Sequence, residues 1–110
     1  AAAGDQDSAV YYYLESIKYD PKNSMAYDNI GMIYEEKKDL NKAIEYYTLA
    51  VEFAEGTALM EPRFSRSKPL MLRAECYLRL GKKDLACFDF RKAEELGNGA
   101  AISKRILNCK

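Results

Sequence analysis

The sequence contains no histidine and no tryptophan. Without histidine it has neither the commonest general base nor the commonest metal ligand. A Cys–His nucleophile pair and a Ser–His–Asp triad therefore cannot be assembled within it. The chain also lacks an excess of charge: Lys and Arg total 17 and Asp and Glu total 17. Nucleic acid and anionic membrane surfaces lose their usual electrostatic attraction outside any local patch, and nucleic acid is not expected as a partner. No run approaches 18 apolar residues, so direct membrane insertion is not expected. No glycine-rich phosphate loop is present. The cysteines, Cys76, Cys87 and Cys109, lie 11 and 22 residues apart and match no zinc spacing. No metal, cofactor or enzymatic activity is therefore expected. Ser65-Arg66-Ser67-Lys68 matches an S-x-x-K nucleophile pattern, but the other parts of such a site are absent. The acidic pairs Glu35-Glu36 and Glu94-Glu95 read as solvated helix faces. The chain opens on Ala1-Ala2-Ala3-Gly4 with no methionine, which reads as a trimmed stretch whose targeting information lies elsewhere.

Apolar residues at helical spacing fill the 110 residues. Val10, Tyr13, Leu14 and Ile17 follow it, as do Tyr27, Ile30, Gly31 and Tyr34. Leu40, Ala43, Ile44, Tyr47, Ala50 and Val51 continue the pattern, then Leu70, Ala74, Tyr77 and Leu78, then Ala86, Phe90 and Ala93. No segment alternates with a period of two. The spacing predicts six helices over about 6–19, 24–37, 40–54, 67–80, 83–96 and 99–108. The breaks have local causes. Pro21 pushes Asp20 out of the helical region, and Asn23 or Ser24 can cap the next start. Gly81 can take a positive φ in a tight turn, whereas Lys38 meets a steric cost in the same role. Gly97-Asn98-Gly99 stops one helix and restarts another. Glu55 to Pro69 is the single long loop, and 55–66 reads as an insertion.

The chain matches itself at a fixed offset. Ala9-x3-Tyr13-x2-Ser16 recurs 34 residues later as Ala43-x3-Tyr47-x2-Ala50, and 43 further on as Ala86-x3-Phe90-x2-Ala93. The nine extra residues fall in the inserted loop. Tyr27-x2-Ile30-Gly31-x2-Tyr34 followed by Ala43-x3-Tyr47 resembles the tetratricopeptide repeat, with its W-x2-L-G-x2-Y and A-x3-F pattern, and Pro21 sits where that family places its proline. The resemblance implies an all-α, right-handed superhelical stack of antiparallel helix pairs. Residues 6–19 would be the second helix of a partial repeat, 24–54 and 67–96 repeats, and 99–108 a capping helix, within one domain. Small residues (Gly31, Ala43, Ala74, Ala86) would let paired helices approach, and aromatics would fill the gaps between pairs. Arg73 departs from the pattern, occupying a position usually given to leucine, and Glu55 replaces an expected proline.

The resemblance further implies a non-enzymatic scaffold that takes a protein or peptide segment in a concave groove lined by the first helix of each pair. Mapped onto this sequence, that face carries Met25, Asp28, Asn29, Met32 and Glu35, then Lys68, Met71, Leu72, Glu75, Leu78 and Arg79. It mixes flexible apolar side chains with one acidic and one basic end. Some members grip a C-terminal carboxylate here with Lys and Asn. Asp28 and Met32 stand at those places, so a clamp of that kind is not expected. The cysteines read either as small buried apolar residues or as a Cys87–Cys109 disulfide tying the capping helix to its neighbour. The stretch from Ala86 to Cys109 resembles the C-terminal repeat of exported, Bacteroides-like tetratricopeptide proteins, which leans the expected compartment toward an exported or periplasmic one. The alternative function is an accessory or self-assembly domain of a larger protein whose active part lies outside this stretch. Val10, Tyr11 and Leu14 would then form an apolar end for end-to-end association. In the inserted loop, Leu59, Met60 and Phe64 are expected to fold onto the groove while Arg63 and Arg66 face solvent.

Overall fold

The computed structural model describes residues 3–56 and 63–109, with side chains from 6–54 and 66–109. Among the described residues there are six helices and no strand: α1 (Ala3–Tyr19), α2 (Ser24–Glu36), α3 (Leu40–Gly56), α4 (Arg63–Arg79), α5 (Lys83–Glu95) and α6 (Gly99–Asn108). α2 pairs with α3 and α4 with α5, while α3 against α4 joins the pairs into a stack. α1 lies on α2 at one end and α6 on α5 at the other.

The helix boundaries follow local chemistry. Asn23 caps α2, its Oδ1 accepting from the Ala26 amide at 3.3 Å. The turn before it is pinned by Tyr27, whose hydroxyl donates to the Pro21 carbonyl at 3.1 Å. The two helix-pair turns use the left-handed backbone, at Gly81 (φ +76°) without cost and at Lys38 (φ +67°) against a side chain's preference. Asn98 caps α6 through the Ala100 amide at 3.0 Å, and its Nδ2 donates to Ser67 Oγ at 2.9 Å, tying the cap to α4.

Packing follows the small-against-large logic of the repeat. A Cβ on Gly31 would lie 2.6 Å from the Tyr47 ring, so the missing side chain is what lets α3 press against α2. Tyr47 and Phe90, at matching places in the two pairs, are fully buried. Tyr27 stacks on Phe53 and Tyr34 on Tyr46, with ring centroids 5.2 and 5.6 Å apart.

The connection between the pairs is shorter than the sequence suggests. α3 runs on to Gly56 and α4 begins at Arg63, so Pro69 lies inside a helix and not at its boundary. Proline has no amide to donate and crowds the carbonyl four residues back, hence the expected break. Here its ring is fully buried between the buried Ser67 and Leu70, and that packing outweighs one missing hydrogen bond. α1 likewise starts earlier than expected, at Ala3. Leu59 and Met60 lie outside the described residues, as do the side chains of Arg63 and Phe64. Arg66 does not face solvent freely: it is half-buried, with its Nε shielded and without a hydrogen-bond partner.

Candidate functional site

The stripe of α2 that faces α4 carries Asp28, Met32 and Glu35, spaced by four and then three residues. Across from it, α4 presents Leu72 and Arg79. Met32, Glu35, Glu36, Lys38, Leu72 and Arg79 together line an open depression of about 340 Å³. Four of the expected groove residues, two from each helix, are therefore brought together. The others go elsewhere. Met71 packs against two buried clusters, one around Val51 and Leu70 and one around Ala74 and Phe90, and Leu78 packs on the second. Glu75 pairs with Lys104 of α6 at 2.8 Å. Met25 and Lys68 are exposed, and Asn29 is half-buried.

The groove's two charged ends are not separate. Glu35 accepts from the Tyr47 hydroxyl at 2.8 Å and from Arg79 at 3.0 Å, and the Cys76 thiol lies 3.5 Å from its Oε1. This carboxylate is a hub joining α2, α3 and α4, not part of a solvated acidic face. Glu94 is likewise engaged, by Arg105 at 2.6 Å. Burial, reinforced by the hydrogen bond to Glu35, raises the Tyr47 hydroxyl well above its ordinary value. Burial, and then the Glu35 charge, push the Cys76 thiol up to about 12. Cys76 is a free buried thiol, unsuited to nucleophilic work at neutral pH.

Asp28 is unlike its neighbours on the stripe. Only 3% of it is exposed, and its Oδ1 is buried with no hydrogen-bond partner. Burial raises its carboxyl to about 7, against the opposing pull of the Lys68 charge. Burial is expected of the small and aromatic positions in the repeat; nothing in the pattern marks Asp28 as an interior acid.

A second interior acid, Asp89 of α5, is likewise unmarked by the repeat pattern alone. Its two oxygens accept from Arg73 Nε and Nη2 at 2.8 and 2.7 Å, and Arg73 Nη1 reaches Thr48 Oγ1 at 3.2 Å. The hydrogen bond to Asp89 holds the guanidinium charged. Arg73 thus fills its leucine-type position by bringing its own counter-charge. The repeat offset carried the signal: at 43 residues, Ile30 and Tyr46 of the first pair align with Arg73 and Asp89 of the second.

Further out, Cys87 and Cys109 are joined as a disulfide, with Cα atoms 5.8 Å apart, between α5 and the end of α6. Val10 is buried against the stack, while Tyr11 and Leu14 of α1 and Ile106 and Leu107 of α6 are exposed. A wider, mainly apolar depression of about 520 Å³ runs along α3, lined by Ile44, Glu45, Tyr46, Thr48 and Leu49. Among the described residues no cluster of Cys, Asp and Glu is arranged to hold a metal ion, and no helix is long and apolar enough to cross a membrane.

Helix pairs of one design, stacked side by side with a groove between their first helices, define a helical-repeat scaffold. The tetratricopeptide repeat signature matches residues 26–57 and 67–96, and the chain belongs to that family. Subunit 3 of the anaphase-promoting complex of Schizosaccharomyces pombe is 36% identical to it over 69 residues, 63% of this chain; the chain spans 10% of that relative's length. Among solved structures, the N-terminal domain of stress-induced protein-1 (STI-1) from C. elegans superimposes with a TM-score of 0.79 at 22% identity, covering 91% of this chain and 78% of that one. The first TPR of Spaghetti (RPAP3), bound to the HSP90 peptide SRMEEVD, gives 0.73 at 24% identity, covering 92% and 75%. Both likenesses concern the fold.

Proposed function

We propose that the chain is a non-enzymatic interaction module that binds an extended or helical segment of a protein between α2 and α4. The observation that carries this reading is the depression where the exposed Met32 and the half-buried Leu72, which also packs on the cluster around Ala43, Tyr47 and Cys76, border the Glu35–Arg79 pair. Flexible methionine and leucine side chains adapt to a peptide's apolar residues, while the paired charges at the rim favour no sign strongly. A repeat domain of like fold is known bound to a peptide, which supports the mode of use. The tested case is selection from a library of 12-residue peptides, followed by mapping of amide resonances. Shifts centred on Met32 and Leu72, abolished by Leu72→Glu, are the expected result. Shifts confined to α1 or α6 would overturn the reading.

A second reading, end-to-end association of copies, is favoured by the exposed Tyr11, Tyr12 and Leu14 on α1 and by Ile106 and Leu107 at the other end. Sedimentation velocity across a hundredfold concentration range tests it: an unchanging monomer refutes it. The Cys87–Cys109 bond supports an exported, oxidising setting over a reducing one.

A further inference from the structure

Of the three residues on the α2 stripe, Glu35 is hydrogen-bonded by groups from two other helices and Met32 needs no polar partner. Asp28, one turn before Met32, has an acceptor oxygen that none of the described residues satisfies. An interior carboxylate with an empty acceptor is costly, and the cost falls only when a donor reaches it. Its surroundings narrow the donor. Lys68 of α4 acts on Asp28 through its charge but forms no ion pair with it among the described contacts, and its side chain is turned out to solvent. Met25 and Met32 flank Asp28 by one turn on either side, are 68% and 40% exposed, and are flexible enough to move aside.

We propose that Asp28 anchors the partner segment by receiving the primary ammonium of a lysine side chain, whose carbon stem lies along Met32 and Leu72. This rests on the groove reading above and adds to it the chemistry of the partner. An ammonium joins two things of which a neutral amide supplies only the first: a donor for Oδ1, and a charge opposite to the carboxylate in a poorly hydrated site. The apolar stem matches the methionine and leucine that border the path. The charge that bears on Asp28 is that of Lys68 of α4; the Tyr47 hydroxyl of α3 feels the Asp28 carboxylate but, raised well above its ordinary value, is itself uncharged between pH 6 and 8. Because the free carboxyl holds its proton up to about pH 7, seating the ammonium expels a proton, and binding strengthens as the pH rises from 6 to 8.

Three blocked pentapeptides, acetyl-Ala-Leu-X-Leu-Ala-amide with X as lysine, glutamine or norleucine, are titrated into the nitrogen-15-labelled chain at pH 6 and pH 8. At pH 8 the lysine peptide is expected to bind about fivefold more tightly than the other two. That advantage is expected to shrink at pH 6 and to vanish in Asp28→Asn. Equal binding of all three at Met32 and Leu72 would overturn the anchor and leave the groove reading standing. So would a glutamine peptide matching the lysine peptide, or a lysine preference that survives in Asp28→Asn. Absence of binding by any of them at millimolar concentration would overturn the anchor, while the library selection decides separately on the groove.

Discussion

The two helix pairs solve the same packing problem with different interiors. In the first, α2 and α3 meet through a glycine and a tyrosine ring: Gly31 opens the space and Tyr47 fills it. In the second, Ala74 and Phe90 stand at the matching places, and both are fully buried. Each pair also holds an acid in its interior, and here the contrast is sharper. Asp89 is bonded through both oxygens to Arg73, whereas Asp28 keeps an oxygen with no partner. At the places that Ile30 and Tyr46 hold in the first pair, the second pair thus carries two charges that satisfy each other. The first pair carries a lone acid where the second has Met71. A buried charge is tolerated for structure when its partner arrives with it; one without a partner points to a task outside the fold.

The largest test of this contrast removes the partner from the satisfied acid. Arg73→Met strands Asp89 and is expected to cost about 3–5 kcal/mol at pH 7, measured by urea unfolding. Importing the first pair's solution, Arg73→Ile with Asp89→Tyr, should recover most of that loss. A single substitution costing under about 1 kcal/mol would show that the ion pair sustains nothing.

The unsatisfied acid should respond in the opposite direction. Its folded value of about 7 lies above the ordinary 3.8, so the unfolded chain gives up the proton first. Stability therefore falls as the pH rises from 4 to 7 and stays lowered above that. Asp28→Asn is expected to raise stability by about 3 kcal/mol at pH 8 and to change it little at pH 4. Equal effects at both pH values would place the cost of Asp28 somewhere other than its charge.

Gly31→Ala probes the other half of the comparison. The added methyl meets the Tyr47 ring at 2.6 Å, and about 2 kcal/mol of destabilisation is expected from the forced shift. The second pair already holds alanine at that place, so Ala74→Gly should cost about 1 kcal/mol through helix propensity, without a clash. The smallest effect belongs to the groove rim. Arg79→Ala breaks a half-exposed pair while Glu35 keeps Tyr47, so about 0.5 kcal/mol or less is expected in thermal melts.

The helices were legible in the sequence because their signals are local. Apolar periodicity, the cap at Asn23 or Ser24, the stop and restart at Gly97-Asn98-Gly99, and the turn at Gly81 each depend on neighbours within a few residues. The offset between Tyr47 and Phe90 revealed the repeat for the same reason. The connection from α3 to α4 was misjudged because proline's local penalty is visible in sequence and the burial of its ring is not. The candidate site was only half legible. Helical phase placed Met32, Glu35, Leu72 and Arg79 on facing helices, but phase says nothing of what lies opposite. Glu35 read as surface because Tyr47, Cys76 and Arg79 reach it from positions 12, 41 and 44 residues away. Asp28 read as a groove residue, and its burial emerges only in the packed stack.

The disulfide between α5 and α6 gives the molecule a mechanical direction. At one end, α1 is held to α2 across two exposed polar contacts, Asp7 with Lys37 and Gln6 with Glu36. At the other, the last helix is covalently closed onto its neighbour. A chain pulled from its N-terminal side can peel helix by helix through α4, since each element leans only on those beside it. At Cys87 the peeling meets a ring closed over a sequence separation of 22 residues, which withholds about 75 Å of extended chain from the applied force. In an oxidised molecule stretched between its ends, the last step of the extension trace is shorter by that length, and a reductant restores it.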